Sequence, residues 1–586
     1  MSEHDSLEYL SNLRHSCAHL LAAAVMELFP STHRTIGPSI ENGFYFDFEF
    51  QEPLTDDDLP KIEAKMHEIV KSWKGFEKQE LSAQDAKDEY PGNKYKHELI
   101  EEFSEHGKKK ISFYKSGSYR DLCKGGHIEH PDQELKFFKL TSLAGAYWKG
   151  SEKNAMLTRI YGTVWPTQAE LDVYLLQQEE AKKRDHRKIG RELELFFIDD
   201  MVGKGLVMWL PKGTILRDQV EKLAKEKEHD AGYQRVASPH IAREELFLTS
   251  GHLPYYKDSM YPPMEMDDGT YYLKAMNCPH HHRMFLFRPR SYREFPIRFA
   301  EYGTCYRNEL SGTLQGLLRV RGMTMNDAHI YIRKDQIKDE FKKVLQLTQE
   351  YFDIFGLKDY WFRLSKWSPA HPEKYINEPK NWEYSEQMLR EVLQEMKVKF
   401  VEVDDEAAFY GPKVDVQFKS VIGREETMST IQLDFLAKAR FNLNYIDSEG
   451  KENNDVFVIH RAPLSVHERF MAFLIEHFAG AFPLWLSPVQ VAIVPISQDQ
   501  HEYAATIQQK LDKQGIRVEV YGEAESMQNR IRKAAGQKIP YILVVGKKEV
   551  EDGTVSVRQR GSKESTVVKV EEFASKVNEE VNSRVI

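Results

Sequence analysis

Cysteine is scarce in this sequence, because only four of its 586 residues are cysteine. So few cysteines cannot cross-link a chain of this length, which excludes a disulfide scaffold and favours a reducing compartment. A surplus of positive charge is lacking too, since 81 Lys and Arg residues stand against 91 Asp and Glu residues. The net charge of −10 argues against a general nucleic-acid binder but leaves room for a local basic surface.

Long uncharged runs are also rare. Residues 478–498 carry no formal charge and have the length of a membrane span, but they include Pro483, Pro488 and Pro495. Three prolines would break a spanning helix, so this run predicts buried turn and strand and no membrane association. The opening residues MSEHDSLEYL show neither a signal peptide nor an Arg-rich transit peptide, so we expect a cytoplasmic protein.

The remaining composition is that of a globular protein, with 41% hydrophobic and 29% charged residues. It excludes a wholly disordered or collagen-like chain, and the length favours three or four domains. Breaks in composition predict domains at 1–165, 195–487 and 488–586, with a helical linker at 166–194. Within the linker, the segment AKKRDHRKIGR holds six Lys or Arg residues and is either a solvated helix or a phosphate-facing surface.

The last 99 residues have the most regular pattern. Strand-like runs (VQVAIVPI, Arg517–Tyr521, YILVVG, Thr554–Gln559) alternate with helix-like runs at His501–Gln514 and Ser526–Ala535. Strands and helices that alternate through short connections predict a small α/β domain on a largely parallel sheet.

Two pairs of metal-binding side chains occur near the N-terminus. His15 and His19 lie four residues apart in an apolar segment with helical periodicity, so both imidazoles face the same side. Cys123 and His127 repeat that spacing around a Gly-Gly turn. By chemistry alone the four form a plausible zinc site, and the alternative is a pair of structural histidines with an idle cysteine.

Arginines in the middle region suit a nucleotide. Arg307 in CYRNE is followed by Arg319 and Arg321 in RVRG, and HRAPLSVHERF places Arg469 at the start of an apolar helix. Guanidinium groups bind phosphate through paired hydrogen bonds, whereas a surface salt bridge is the alternative for each arginine taken singly.

Taken in order, these segments resemble the threonyl-tRNA synthetase family of class II aminoacyl-tRNA synthetases. GYQRVASP, FAEYGTCYRNELSG with RVRG, and HRAPLSVHERF are similar to the three class II signatures. MNCP, DAHIY, AFYGPKVDV, STIQLDF, IGPSIENGFYFD, DLCKGGH, AYWKG and RIYGTVWP also resemble family segments, so the likeness covers essentially the whole chain. It implies an α+β editing domain, a catalytic domain on six antiparallel strands and an α/β anticodon-binding domain.

The resemblance also implies the reaction. L-threonine would be activated by ATP and transferred to tRNA(Thr), and mischarged seryl-tRNA(Thr) would be hydrolysed. One Zn²⁺ per subunit would bind Cys278, His329 and His460 and would receive the amino and hydroxyl groups of threonine. A homodimer would pair through the first signature, which ends at Pro239.

Substrate contacts follow from the same resemblance. Arg307 would hold the α-phosphate of ATP and Glu309 the adenine edge. Arg319 and Arg469 would serve the triphosphate, with Mg²⁺ bridging the phosphates. Asp327 would bind the threonine hydroxyl and Tyr410 its amino group, while Lys413 and Gln432 line the reacting centre and His252 assists transfer to the tRNA. The implied editing residues are His15, His19, Lys96, Asp121, Cys123 and His127, acting without zinc. The implied anticodon readers are Arg532, Glu549 and Arg558.

Several departures from the family pattern stand near this chemistry. The glycine after MNCP is replaced by His280, and Met323 and Met325 stand in a segment that usually reads Phe-Thr-Gln. Thr427 replaces a glutamine and Ser465-Val466 replaces Gly-Ser. The sequence also begins almost at the His15 helix, which implies a form without the family's ubiquitin-like domain. A class II enzyme for another amino acid, or an RNA-binding regulator that has lost activation, are the alternatives.

Overall fold

A computed structural model describes residues 6–105, 110–151, 153–371, 373–420 and 425–584 of the chain. The chain divides into two compact units, Met1–Glu179 and Glu180–Ile586. No helix among the described residues combines the length and the apolar character needed to cross a bilayer.

The N-terminal unit combines helices with two antiparallel sheets. Its helices are α1 (Leu7–Leu28), α2 (Leu59–Ile69), α3 (Ala83–Asp88), α4 (Lys94–Glu105) and α5 (Pro131–Glu134), and α6 (Gln168–Arg184) leads out of it. Its strands are β1 (His33–Arg34), β2 (Ser39–Ile40), β3 (Gly43–Glu49), β4 (Glu77–Leu81), β5 (Ile111–Ser116), β6 (Tyr119–Leu122), β7 (Phe137–Tyr147) and β8 (Met156–Trp165). One sheet has the order β1-β3-β8-β7 with β2 on β3, and the other has the order β4-β5-β6.

Helix α1 forms the centre of this unit. Its N-cap is Ser6, whose hydroxyl accepts the backbone N–H of Tyr9 at 3.1 Å, the usual role of serine at a helix start. Its middle turns, including Leu13, Cys17 and Leu21, are fully buried in the core that also contains Phe44 of β3. Because this packing fixes the rotation of the helix, it also fixes the direction of His15 and His19.

The C-terminal unit begins with a mixed α and β region. Its helices are α7 (His186–Glu192), α8 (Pro211–Asp230), α9 (Glu244–Ser250), α10 (His252–Tyr255), α11 (Cys278–Phe285), α12 (Ile337–Ile354), α13 (Pro379–Glu395), α14 (Ala437–Phe441) and α15 (His467–His477). Its strands are β9 (Phe196–Ile198), β10 (Val207–Trp209), β11 (Gln234–Arg235), β12 (Ile241–Arg243), β13 (Met264–Met266), β14 (Gly269–Leu273), β15 (Ile297–Tyr306), β16 (Gly322–Arg333), β17 (Tyr360–Ser365), β18 (Phe400–Val403), β19 (Lys413–Lys419), β20 (Glu425–Asp434), β21 (Tyr445–Ile446), β22 (Glu452–Asn453) and β23 (Val456–Arg461).

The main sheet has the order β11-β15-β16-β23-β20-β19-β17-β18 within the described residues. The six strands from β15 to β17 pair antiparallel throughout, and a parallel strand lies on each edge. The six antiparallel strands expected from the resemblance are therefore present. Helices α8, α12, α13 and α15 contribute apolar side chains to the core on this sheet.

The pairing register aligns one row of polar side chains across four of these strands. His329 on β16 lies opposite His460 on β23, His460 lies opposite Gln432 on β20, and Gln432 lies opposite Lys413 on β19. Directly paired residues in antiparallel strands project to the same face of the sheet. Residues up to 131 positions apart in sequence therefore meet in one place.

The last region holds α16 (His501–Asp512), α17 (Met527–Gly536), α18 (Lys547–Asp552) and α19 (Val570–Ser583), with strands β24 (Val491–Pro495), β25 (Val518–Val520), β26 (Tyr541–Val545), β27 (Thr554–Gln559) and β28 (Ser565–Lys569). Strand β24 pairs parallel with β25 and β26, but β27 and β28 pair antiparallel. The prediction of a largely parallel sheet is therefore wrong in its second half. The short link from β26 through α18 to β27 turns the chain back, and a short return gives an antiparallel pair.

Candidate active sites

The two His and Cys pairs of the N-terminal unit meet in one group, called here the N-terminal His/Cys cluster. Its members are His15, His19, Cys123 and His127, and their ligand atoms all lie within 4.8 Å of one another. The Cys123 Sγ is 3.0 Å from His15 Nε2 and 3.3 Å from His127 Nε2. Gly125 and Gly126, at φ 102° and 86°, make the tight turn that returns His127 to Cys123.

Burial sets the protonation of this cluster. It lowers the pKa of His127 to about 3 and also lowers the pKa values of His15 and His19. It raises the pKa of the Cys123 thiol to about 11. At neutral pH the cluster therefore contains neutral imidazoles and a thiol, which are hydrogen-bonding groups rather than an ionised nucleophile.

A buried ion pair supports the cluster from one side. Lys96 Nζ lies 2.8 Å from Asp121 Oδ1, and Arg34 Nε lies 3.4 Å from the same oxygen. Tyr90 and Tyr119 donate hydroxyl hydrogen bonds to this carboxylate at 2.5 and 2.9 Å. The two cations hold the pKa of Asp121 below its usual range despite burial. Arg34, Tyr90 and Tyr119 could not be identified from the sequence, because no motif spacing connects them to Asp121.

The cluster opens into a cavity of about 790 Å³. Its lining includes five of the six predicted editing residues: His15, His19, Lys96, Asp121 and Cys123. His127 joins them through Cys123. Lys124 also lines the cavity, and Lys78 and Lys110 line it paired with Glu80 at 3.0 and 3.6 Å. The donor set is compatible with a metal ion by distance alone, so geometry leaves open the choice between a zinc site and a metal-free site.

The second group is called here the central triad. Its members Cys278, His329 and His460 have ligand atoms within 4.8 Å of one another. Cys278 begins helix α11, and the register of β16 and β23 places the two histidines side by side. A thiolate and two imidazoles are a suitable donor set for zinc and leave a coordination position open.

Each histidine of the triad is oriented by a partner behind it. His460 Nε2 donates to Asp434 Oδ2 at 3.1 Å, so its Nδ1 is left for a metal. His329 Nδ1 lies 2.8 Å from His281 Nδ1, and His281 Nε2 lies 3.0 Å from the Glu301 carboxylate. A carboxylate only accepts, so His281 Nε2 carries the proton, its Nδ1 accepts from His329, and His329 Nε2 is left for a metal.

The triad lies in a central cavity of about 520 Å³. The other predicted residues in its lining are Arg307, Asp327, Tyr410, Lys413, Gln432, Arg469 and His252. Arg319 and Glu309 are not among the lining residues. They pair with each other at 2.9 Å, and the Arg319 side chain is 51% exposed, so the surface salt bridge considered for a lone arginine is what Arg319 forms here.

Neighbouring groups hold the cavity side chains in place. The Asn277 amide donates to Asp327 Oδ2 at 3.0 Å, and the Tyr410 hydroxyl donates to Gln432. Lys413 Nζ is 3.0 Å from Asp415.

His252 is held in a similar way. Its Nδ1 lies 2.6 Å from the Ser250 hydroxyl, and burial lowers the pKa of His252 to about 4. His252 is therefore neutral at pH 7.

Departures from the family pattern occupy definite places. Met325 lines the central cavity and forms a bridge with Val466, whereas Met323 is buried beside Cys305. Thr427 accepts a hydrogen bond from the Gln417 amide at 2.8 Å. Both ring nitrogens of buried His280 lack a hydrogen-bond partner among the described residues.

The candidate anticodon readers lie on three elements of the last region. Arg532 is on α17, Glu549 on α18 and Arg558 on β27. The Glu549 carboxylate accepts the Gly546 N–H at 2.9 Å and so caps its own helix, and Arg558 Nε contacts the Ser562 carbonyl at 3.5 Å. No described contact joins the three, so their role stays a prediction.

Comparison with known families matches three parts of the chain. Residues 262–478 match the tRNA synthetase class II core domain (G, H, P, S and T). Residues 490–580 match the anticodon binding domain. Residues 111–161 match the threonyl and alanyl tRNA synthetase second additional domain.

Full-length relatives agree with these matches. The threonine–tRNA ligase of Geobacillus kaustophilus is 48% identical over 583 residues, which is 99% of this chain and 89% of the relative. Threonine–tRNA ligase 1 of Bacillus subtilis is 48% identical over 97% of this chain and 89% of its own. A solved structure of the RNA binding domain of threonyl-tRNA synthetase from Cryptosporidium parvum superposes with a TM-score of 0.65 at 33% identity, covering 67% of this chain and 98% of that one. The chain therefore belongs to the threonine–tRNA ligase family of class II aminoacyl-tRNA synthetases.

Proposed function

We propose that this chain joins L-threonine to tRNA(Thr) at the central cavity and hydrolyses seryl-tRNA(Thr) at the N-terminal His/Cys cluster. The observation that carries the first activity is the row His329, His460, Gln432 and Lys413, which lies in one cavity with Arg307 and Arg469. Possible metal ligands and phosphate-binding cations thus share one site. A carboxylate attack on ATP needs both its nucleophile and its phosphates held in place.

Cys278, His329 and His460 would hold one Zn²⁺ per subunit. Their donor types and their orienting partners Glu301 and Asp434 fit a zinc site with an open position. When bound, the ion would supply Lewis-acid binding for the amino and hydroxyl groups of threonine. Asp327 would accept a hydrogen bond from the substrate hydroxyl, and Tyr410 would contact the amino group beside it.

This arrangement accounts for discrimination between similar amino acids. Valine has the shape of threonine but offers no hydroxyl to Asp327, so it leaves polar groups of the site unpaired. Serine keeps the hydroxyl and lacks a methyl group, a difference of only about 1–3 kcal/mol. A second, hydrolytic site is therefore required.

ATP would lie against the two cavity arginines. Arg307 would neutralise the α-phosphate that the threonine carboxylate attacks, and Arg469 would bind the γ-phosphate side. Mg²⁺ that enters with ATP would supply further neutralisation of the phosphate charge. Burial lowers the pKa of Arg469, but a guanidinium remains charged at pH 7. Glu309 and Arg319 would exchange their mutual salt bridge for the adenine edge and the phosphates when ATP binds. Lys413 and Gln432 would face the forming acyl phosphate, and His252 would assist the later transfer to the tRNA ribose.

Editing would use the N-terminal cavity without zinc. His15, His19, Cys123 and His127 would orient the seryl ester and a water molecule through neutral hydrogen-bonding groups. Lys96, fixed against Asp121, would supply positive charge beside the ester oxygen.

The same proposal includes a cytoplasmic homodimer. It also includes the predicted domains and linker at residues 1–165, 166–194, 195–487 and 488–586. An apolar groove lined by Pro239, Val236, Leu246 and Phe287 supports pairing of two copies, because the Phe287 side chain is 86% exposed. Arg532, Glu549 and Arg558 would face the anticodon of the tRNA.

The test is ATP–pyrophosphate exchange with threonine, serine, valine and no amino acid, with and without a zinc chelator. We expect zinc-dependent exchange with threonine, weaker exchange with serine and none with valine. Exchange with a different amino acid would favour another class II specificity. The absence of exchange in zinc-replete protein would favour an RNA-binding regulator in which Met323, Met325 and Thr427 have abolished activation.

A further inference from the structure

The basic segment Ala181–Arg191 contains a buried histidine that the proposed reaction does not use. His186 begins helix α7 and is 2% exposed. Its Nδ1 lies 2.7 Å from Glu476 Oε1, and its Nε2 lies 3.1 Å from the backbone nitrogen of Leu317. Because the carboxylate only accepts, the Nδ1 carries the proton and the Nε2 accepts the N–H of Leu317.

Leu317 belongs to the loop that carries Arg319 and contacts Arg469, two of the arginines proposed to bind ATP. The next residue, Leu318, offers its carbonyl to Arg469 Nε at 3.2 Å, and Arg319 follows directly. Two adjacent backbone groups of this short segment are thus bound, the N–H of Leu317 by His186 and the carbonyl of Leu318 by Arg469. Gly316 has φ 52°, and a Cβ there would lie 2.2 Å from His186 Nε2, so the loop approaches the imidazole as closely as its backbone allows.

The basic segment also binds the C-terminal end of helix α15. Arg184 Nη1 donates to the carbonyls of Glu476 and His477 at 3.3 and 3.0 Å, in the last turn of that helix. Arg469 lies in its first turn. A cation at a helix C-terminus satisfies carbonyl groups that have no partner within the helix.

We propose that His186 is a positioning residue for ATP binding. His186 fixes the Leu317–Leu318 backbone and, through the Leu318 carbonyl, the guanidinium of Arg469. This inference rests on the assignment of Arg469 to the ATP phosphates. The basic segment was predicted to be either a solvated helix or a phosphate-facing surface. Neither describes His186, which is buried and hydrogen-bonded to other protein groups. The side chain of Lys188, two residues later, is by contrast 57% exposed.

The test compares His186→Phe, which keeps the volume but loses both hydrogen bonds, with His186→Gln, whose amide retains one donor and one acceptor. KM values for ATP and for threonine are measured by pyrophosphate exchange, beside Lys188→Ala as control and Arg469→Lys as reference. We expect His186→Phe to raise the KM for ATP about tenfold, because a buried N–H loses its partner, with the KM for threonine within about twofold. His186→Gln should recover much of the loss, and Lys188→Ala should behave like the unchanged protein.

Hydrogen exchange gives a second measurement that does not depend on activity. We expect faster amide exchange in residues 314–319 of His186→Phe, with exchange elsewhere in the catalytic region close to that of the unchanged protein. If the KM for ATP rises in Arg469→Lys but not in His186→Phe, the inference is wrong and the Arg469 assignment stands. If neither variant changes it, both are wrong. Equal rises in both KM values with a lower melting temperature would show a general packing defect and would also overturn the inference.

Discussion

A hydrogen bond on one ring nitrogen of a histidine fixes the other nitrogen as the one that can bind a metal. In the central triad, His329 is hydrogen-bonded to His281, which is hydrogen-bonded to Glu301, whereas His460 is hydrogen-bonded directly to Asp434. Glu301 is itself fixed by the backbone N–H of Ser238 at 2.8 Å, and hydrogen bonds from His281 and Ser238 lower the pKa of Glu301 to about 2 despite its burial. The series of hydrogen bonds from Glu301 to His329 therefore starts at a carboxylate that stays ionised at neutral pH.

This arrangement predicts a role for His281 in zinc retention. His281→Leu removes the acceptor that orients His329, and loss of such a partner costs about 10–100-fold in metal affinity. His280→Leu is the matched control, because His280 is the neighbouring buried histidine and its nitrogens have no described partners. Zinc content after dialysis against a chelator of known affinity measures the effect. Equal zinc loss in the two variants would contradict the prediction.

The pKa shifts in the N-terminal His/Cys cluster predict the pH dependence of editing. Burial lowers the pKa of His127 to about 3 and lowers those of His15 and His19 as well, so His127 stays neutral at pH 6 and the other two bind protons at a lower pH than a free histidine. We expect the rate of seryl-tRNA(Thr) hydrolysis, corrected for spontaneous hydrolysis, to change little between pH 8 and pH 6. A decline with an apparent pKa near 6.5 would contradict this. In the unfolded state these histidines regain a pKa near 6.5, so the unfolded state binds protons at a higher pH than the folded state does. The free energy of unfolding of this unit should therefore fall as the pH drops from 6.5 towards 3.

At the scale of elements, strand register decides the central site. A shift of one residue between β23 and β20 would turn every side chain of one strand to the opposite face. The backbone at Gly411 lies very close to that of β20, since a Cβ at Gly411 would lie 1.9 Å from the carbonyl oxygen of Leu433. Its neighbour Tyr410 donates to Gln432, so the backbone approach and the site geometry are coupled.

Gly411→Ala is therefore expected to push Tyr410 and β20 apart. Displacement of a site group by about 1 Å costs roughly 100-fold in rate, and we expect a loss of this order in pyrophosphate exchange. Gly536→Ala is the control, because a Cβ at this helical glycine meets no atom within 4 Å. Exchange by Gly411→Ala within about threefold of the unchanged protein would show that β20 tolerates the shift.

Elements also mark the limit of what local pattern predicts. The helical period that placed His15 and His19 on one face of α1 is confirmed, because both histidines belong to the same cluster. The parallel assignment failed for β27, which pairs antiparallel with β26 and with β28, a strand that the sequence did not predict. Strand direction depends on the path of the connection and not on the strand's own residues.

At the scale of the molecule, arginines bind the last region to the catalytic region within the C-terminal unit. Arg560 donates to the carbonyls of Ala481 and Phe482 at 3.1 and 2.7 Å and to that of Lys538 at 2.5 Å. Arg517 donates to the carbonyls of Trp485 and Ser487 at 2.8 and 2.9 Å. The segment that joins the two regions is therefore held by hydrogen bonds from arginine side chains to its backbone carbonyls.

This contact predicts a selective defect in tRNA use. Arg560→Ala should raise the KM for tRNA(Thr) about tenfold, because charged hydrogen bonds that fix the last region are lost. Pyrophosphate exchange, which needs no tRNA, should stay within about twofold, and Lys563→Ala, at an exposed residue three positions later, serves as control. Equal losses in exchange and aminoacylation would show that Arg560 supports the catalytic region itself.

The sequence by itself determined the family, the fold class and the identity of the ligase reaction, because family segments keep their residues and order along the chain. It also determined that His15 and His19 share a face, since four residues are about one helical turn. Only the tertiary structure decided that residues 131 apart form one row, that Arg34, Tyr90 and Tyr119 surround Asp121, and that His186 supports the Leu317 loop. Those contacts come from register and packing between distant elements, and no local pattern encodes them.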